Sequence, residues 1–264
     1  NEIISKVKKL APMLNEVTLL HVKGAVKFVV EGTNNDAAIH TENAAITPAA
    51  DTLTTVTLSG YEIVKLVQIS DTVMTMSIAA FESYLVEELS NCVMACIANA
   101  LVNGTGTSEG TGILSGISWT ANTNAFTFSK TDGLVYADVV KVVAALKRGY
   151  ANGACWAMNN ATLYSLFYGL VDANKRPIFI ADPKAETIGK ILGFPVVVDD
   201  YLPAETIIFG NFNYMGYNMP EGITIEASRE SSFKKGLIDY RAMAVADCKP
   251  IVEEAFVKLT RATA

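Results

Sequence analysis

The chain has 264 residues, half of them hydrophobic and 18% charged, with a formal net charge of −6. Such a composition buries a sizeable core in one large domain or two intimately joined ones, and it excludes wholesale disorder. The negative balance argues against a binder that works by neutralising phosphates. No apolar run is expected to reach membrane-spanning length, because Lys141 interrupts Val139 to Leu146 and Glu82, Glu87 and Glu88 interrupt the longest apolar stretch. High hydrophobicity without such a span points to surface that is buried between subunits.

Residues 1–30 read as an arm in which Lys6, Lys8, Lys9, Lys23 and Lys27 oppose Glu2 and Glu16, a local charge of +3. Residues 31–58 are rich in Thr, Asn and Ala and hold Glu31, Asp36, Glu42 and Asp51 with no Lys or Arg, a local charge of −4. Thr52 to Thr57 alternates Thr with apolar residues and suits a strand. The stretch is expected to be a two-stranded excursion without a core of its own, from which 61–69 returns as a strand.

From about Met76 to Val102 the pattern is helical, with Phe81, Leu85, Leu89, Cys92, Cys96 and Ala100 at three- and four-residue spacing. Such a helix is about 40 Å long at 1.5 Å per residue, and Asn103-Gly104 suits a left-handed terminator. Residues 136–200 have an α/β rhythm. A helix through Val139, Val143 and Leu146 is expected to end at Gly149. A strand at Ala154 to Met158 follows, then a helix capped by Asn160, and a strand at Pro195-Val-Val-Val. Strands at 206–210 and 222–227 are joined by a turn-rich stretch. The tail, 237–260, holds two alternating segments on either side of Lys249-Pro250.

Catalytic chemistry is sparse. His21 and His40 lie in the arm and the excursion, and Ser115 in Gly112-Ile-Leu-Ser-Gly116 lacks the nucleophile-elbow spacing. The glycines at 104, 106, 110 and 112 follow a helix and lack a Gly-Lys-Ser/Thr ending, so a flexible turn is expected in place of a phosphate loop. Asp199-Asp200 reads as a strand end entering a loop, since adjacent strand residues face opposite ways. Cys92, Cys96, Cys155 and Cys248 are expected to be four buried, reduced thiols, with no zinc site. No catalytic, cofactor-binding or metal residue is assigned.

Ala100-Leu-Val-Asn-Gly-Thr-Gly106, Gly112-Ile-Leu114, Trp156-Ala-Met-Asn159 and Arg176-Pro-Ile178 follow one another along the chain. Leu192-Gly-Phe-Pro-Val196, Gly210-Asn-Phe212 and Ser228-Arg-Glu230 come next. Together and in this order they resemble the major capsid proteins of tailed double-stranded-DNA bacteriophages, whose fold is shared with encapsulins and the floor of herpesvirus shells. The resemblance runs from the arm to about Leu259. It implies an α+β capsid fold with an N-terminal arm (1–30), an extended loop (31–60), a peripheral domain (61–130 and 226–264, with a spine helix at 76–102) and an α/β axial domain (131–225).

The resemblance implies a non-enzymatic shell subunit that self-assembles into pentamers and hexamers in the host bacterial cytoplasm. It encloses packaged DNA without sequence-specific binding and requires no cofactor or membrane. A portal, a scaffolding segment and a maturation protease are the implied partners during assembly, and the start at Asn1 matches removal of an N-terminal segment. Some relatives weld subunits through a loop lysine and a peripheral asparagine. Here Thr47 stands before Pro48, and the peripheral stretch is Phe233-Lys-Lys-Gly236, so that crosslink is not expected.

The sign split gives the candidate contacts: Glu31, Asp36, Glu42 or Asp51 of one subunit near Lys6, Lys8, Lys9, Lys234 or Lys235 of another. An encapsulin-type nanocompartment shell is the alternative, and an α/β-domain enzyme built on 130–225 a distant one.

Overall fold

Three sheets organise the computed structural model, which describes residues 11–262 apart from 33, 38, 40, 43, 44, 46, 47, 49, 71–79, 173 and 182–187. The arm enters through a helical turn, α1 (Met13–Glu16), and strand β1 (Thr18–Leu20). Strands β2 (Val26–Glu31) and β3 (Leu53–Leu58) pair antiparallel as a separate two-stranded sheet, from Val26↔Leu58 to Glu31↔Leu53. Strand β4 (Tyr61–Ser70) leads to the long helix α2 (Ala80–Asn103), and the short helix α3 (Ile113–Gly116) follows. The expected excursion is thus a hairpin, and its first strand begins inside the segment read as arm.

The second part comprises β5 (Ala125–Phe128), α4 (Tyr136–Ala145), β6 (Cys155–Met158) and α5 (Asn160–Thr162), which continues as a wide π turn over Leu163–Phe167. Strands β7 (Phe179–Ala181), β8 (Gly189–Ile191), β9 (Phe194–Val198) and β10 (Thr206–Gly210) follow. The chain ends in β11 (Met215–Asn218), β12 (Thr224–Ser228), β13 (Leu237–Pro250) and β14 (Phe256–Arg261). Seven strands form one sheet in the order β5-β14-β10-β6-β9-β8-β7, and β1-β11-β13-β12 form another, with β4 also paired to β13.

The two cores follow these sheets. One lies between α2 and the β13 sheet and includes Leu89, Val93, Ile97, Ala242, Ala244 and Tyr240. The other packs α4 and the π turn on the seven-stranded sheet around Trp156, Phe167 and Phe209. Trp156 lies 4.4 Å from Phe209, ring centre to ring centre, and its Nε1 donates to the Ile191 carbonyl at 3.2 Å.

Several expectations need correction. The buried stripe of α2 runs Leu85, Leu89, Val93, Ile97 and Leu101, at uniform four-residue spacing. Cys96 is exposed and Cys92 and Ala100 are half-buried, because the predicted stripe drifted one position around the helix. By length and composition Ser83–Asn103 does reach the membrane-spanning range, since its glutamates are too few to interrupt it as expected. Its apolar face is that buried stripe. Gly104 is outside the left-handed region. Glycine is needed there because a Cβ would lie 2.2 Å from the Gly110 carbonyl oxygen and 2.5 Å from that of Ala100.

The glycine-rich stretch is accordingly a packed loop, not a loose turn. Gly112 N–H donates to Gly104 at 2.8 Å and Thr111 N–H to Cys248 on β13 at 2.7 Å. The helix α4 stops at Ala145, short of Gly149. The cap of α5 is Asn159, one residue before the expected Asn160, and it accepts the Thr162 N–H at 2.7 Å.

The strand β11 was missed in a turn-rich stretch. It joins the β13 sheet, whereas β5 and β14, read as part of that half, hydrogen-bond into the seven-stranded sheet. The arm also has a core anchor: Met13 is 1% exposed, Val17 is buried, and β1 runs parallel to β11. Met13 and Val17 sit four apart and share one face with the core, which the charge pattern of the arm conceals.

Leu89 is buried on the α2 stripe, so Leu89→Ala is expected to cost about 2–5 kcal/mol where the site cannot collapse. Urea or thermal unfolding measures it, and a change within error would mean that the stripe does not carry the core.

Candidate intersubunit surfaces

The β2–β3 hairpin leaves apolar side chains in water. Val29 is 65% exposed, Leu53 71% and Ile39 fully so. A two-stranded hairpin has no second layer on which to bury such groups. Its base is nonetheless held firmly. Leu58 is completely buried, and Asp247 Oδ2 on β13 accepts the backbone N–H of Ser59 at 2.6 Å and of Gly60 at 3.4 Å. Gly60 has φ +103, and a Cβ there would sit 2.9 Å from Val245 Cγ1. The hairpin therefore leaves the body through a turn that only glycine fits.

The four acids divide into two kinds. Glu31 Oε1 accepts Asn34 Nδ2 at 3.0 Å, and Asp51 Oδ1 accepts the N–H and Nδ2 of Asn35 at 2.9 and 3.3 Å. Asn35 Nδ2 also donates to the Ala50 carbonyl at 3.0 Å, so these groups tie the two sides of the excursion together. Asp36 and Glu42 are exposed. Lys234 and Lys235 are exposed on a 3-10 turn, Phe233–Lys235, whose Phe233 is 81% exposed. Within one chain no ion pair joins the acids to these lysines among the described residues. Lys6, Lys8, Lys9 and His40 lie outside the described residues.

The lysine-bearing turn is set from beneath by Asp239 on β13. Its Oδ2 accepts the hydroxyl of Ser231, and that of Ser232 at 2.9 Å. Gln68 on β4 donates to Ser232 Oγ at 3.1 Å. The Ser231 hydroxyl is the main cause that holds the Asp239 carboxyl below the usual carboxylate range, with burial opposing it. A further apolar surface lies at the far end of the seven-stranded sheet. There Tyr164 and Tyr168 are exposed with ring centres 5.5 Å apart, and Val171 is exposed beside them. Sequence reasoning missed Phe233, Tyr164 and Tyr168. Phe233 stands among polar neighbours with no periodicity to read, and Tyr164 and Tyr168 sit beside Leu163 and Phe167, which are buried, so all three pass for ordinary core aromatics or turn residues.

The chemistry-bearing residues of the sequence have structural work to do. Ser115 Oγ donates to the Gly104 carbonyl. Asp199 is buried at the end of β9, accepting the Tyr201 N–H at 2.9 Å and the backbone N–H of Met13, and burial raises its pKa. It thereby fastens α1 of the arm to the body. His21 Nδ1 lies 2.8 Å from the Met219 carbonyl oxygen, a second fastening of the arm. Cys155 and Cys248 are buried, with thiols pushed up to about 12 by burial, while Cys92 is half-buried and Cys96 exposed, so the expectation of four buried thiols holds for two. Among the described residues no group of three or more His, Cys, Asp or Glu could hold a metal ion.

A body with two cores, a hairpin that leaves it without a second layer, and apolar side chains at both extremes define a protein built to be covered by other subunits. Solved structures similar to it include capsids of GTA particles and of a cyanophage, and chains from other phages. The capsid of an empty GTA particle has a TM-score of 0.84 at 19% identity, covering 100% of this chain and 94% of the other. A structure from Mycobacterium phage Adephagia has a TM-score of 0.73 at 13% identity, covering 100% and 95%. One from Microbacterium phage Oxtober96 has a TM-score of 0.73 at 14% identity, covering 99% and 95%. These likenesses establish the capsid fold. No curated protein sequence matches the chain. The model of the phage capsid family matches residues 1–261, and the chain belongs to that family. It is a structural capsid subunit, and the encapsulin alternative is not favoured.

Neutral-pH stability includes the Asp239–serine hydrogen bonds, because a carboxylate with a lowered pKa binds its proton less tightly when folded. That contribution is present above the ordinary value of 3.8 and is lost as pH falls through the folded pKa. Asp239→Asn is expected to lower the melting temperature at neutral pH, with the gap to wild type closing in acid. A gap that is constant with pH would remove the carboxylate from this role.

Proposed function

We propose that the chain is the repeating subunit of a closed icosahedral phage shell, arranged as pentamers and hexamers around packaged DNA and assembled in the host cytoplasm. The observation that carries this reading is the β2–β3 hairpin, which projects from a firmly held base with Val29, Leu53 and Ile39 uncovered. A neighbouring copy supplies the missing layer. The GTA capsid to which the chain is similar was computed with C5 symmetry, which agrees with a five-fold arrangement. In this reading the seven-stranded sheet and its Tyr164–Tyr168 edge form the axial part, and the β13 sheet with α2 the peripheral part. A portal, a scaffolding segment and a maturation protease would act during assembly.

The hairpin acids then meet basic residues of a neighbour. Asp36 and Glu42 are exposed, as are Glu31 and Asp51, which also accept hydrogen bonds inside the hairpin; Lys234 and Lys235 follow the exposed Phe233, which would dock beside them. Lys6, Lys8 and Lys9 are further candidates. Exposed pairs contribute only about 0–1 kcal/mol each, so they set register and rate more than they hold the shell.

Two measurements test this. Light scattering should show assembly slowing as salt rises and the Debye length falls below about 10 Å. Asp36→Lys with Glu42→Lys should slow it further, and adding Lys234→Glu and Lys235→Glu should restore it. No restoration would separate these groups. Electron microscopy that finds only small oligomers would end the shell reading itself. In hot denaturing detergent the shells should fall to monomers, since the loop lysine and the peripheral asparagine of crosslinking relatives have no counterparts here. A ladder of covalent oligomers on a gel would contradict this.

A further inference from the structure

Lys65 and Cys92 form a pair that the shell function does not use. Lys65 stands on β4 and Cys92 on the facing side of α2, with Lys65 Nζ only 2.8 Å from Cys92 Sγ. Lys65 Nζ donates to the Cys92 sulfur, so the nitrogen already lies against it. One turn earlier on the helix, Glu88 Oε1 accepts the Cys92 thiol at 3.6 Å. The sulfur is therefore held between a carboxylate able to take its proton and a nitrogen able to attack it. Cys92 is half-buried and Lys65 exposed, so a small oxidant can reach the pair. The other thiols lack this setting. Cys155 and Cys248 are buried, and Cys96 has no lysine contact among the described residues.

We propose that Cys92 and Lys65 are a modification site, at which hydrogen peroxide makes a sulfur–nitrogen strap between α2 and β4. Glu88 takes the thiol proton and the sulfur attacks one peroxide oxygen. The O–O bond breaks, and the departing hydroxide takes up that proton and leaves as water. Cysteine is oxidised to sulfenic acid while peroxide is reduced. The neutral amine of Lys65 then attacks the sulfenyl sulfur. The S–O bond breaks, the hydroxyl leaves as water with a proton from the amine, and an S–N bond remains. The net change is the loss of two hydrogens from the chain. A thiol reductant reverses it by attacking the sulfur and releasing the amine. The strap lies within one subunit, so it adds no covalent oligomers. It would tie the strand that continues from the hairpin to the long helix.

The test uses assembled shells of the full chain, treated with hydrogen peroxide at mildly alkaline pH without thiols and then digested for peptide mass mapping. The expected tryptic product is one uncut peptide, residues 28–130, which holds both Lys65 and Cys92 and is lighter than its unmodified sequence by one hydrogen molecule. Trypsin should no longer cut after Lys65, and dithiothreitol should restore cutting. Lys65→Arg keeps the positive charge but offers no comparable nucleophile and should abolish the product, while Cys96→Ser should leave it unchanged. Three results would each overturn the proposal: Cys92 oxidised to sulfinic or sulfonic acid with Lys65 still cleaved, a Cys92–Cys96 disulfide as the main product, or an uncut peptide lighter by one hydrogen molecule still formed in Lys65→Arg.

Discussion

The strand β13 carries the architecture. It pairs with β4 without interruption from Leu237↔Ser70 to Ala246↔Tyr61, with β12 on its other side, and with β11 through Met215↔Pro250 to Asn218↔Asp247. On its core face Ala242, Ala244 and Ala246 are buried beneath α2. Small side chains there let a helix carrying Leu89, Val93 and Ile97 settle closely on the sheet, and close packing is what makes burial stabilising. The same strand holds the hairpin base through Asp247, the glycine loop through Cys248 and the lysine-bearing turn through Asp239. A disturbance of β13 reaches both the hairpin and the lysine-bearing turn, the two surfaces proposed to meet as opposite charges.

The division between packed body and uncovered hairpin has a physical cause. The body buries its apolar groups in two cores built from a helix or helices against a sheet. The hairpin pairs its strands through its own ladder and the Asn35–Asp51 bonds, yet among the described residues nothing covers Val29, Leu53 or Ile39. Hydrogen bonding gives it a definite shape while the hydrophobic effect leaves it incomplete. A shell subunit benefits from that combination. Shape is set before assembly, and the driving force for covering it is released only when a copy arrives.

Much of this was legible in the residues. Alternation in Thr52 to Thr57 and in 61–69 placed the strands β3 and β4, and the apolar run after Met76 placed α2. The order of short motifs from Ala100 to Glu230 pointed to the family. Errors cluster where the deciding fact is a distant contact. The stripe of α2 was taken through Cys92, Cys96 and Ala100, since cysteine and alanine pass for core residues; the sheet buries Val93, Ile97 and Leu101 instead. The glycines at 104 and 112 looked like looseness. Each is required because two backbones touch, which no local pattern records.

The candidate contacts followed the same rule. Sign alone singled out Glu31, Asp36, Glu42, Asp51, Lys234 and Lys235. All four acids are exposed, and only the folded chain shows that Glu31 and Asp51 accept hydrogen bonds within the hairpin. By itself the sequence determined the main elements, among them α2, β3, β4 and β6, and the charge carried by each segment, because these depend on neighbours a few positions away. The tertiary structure decided which face of α2 is core, that β14 joins the seven-stranded sheet, and that Lys65 meets Cys92. Those outcomes depend on residues far apart in the chain, brought together only when β13 closes its sheet.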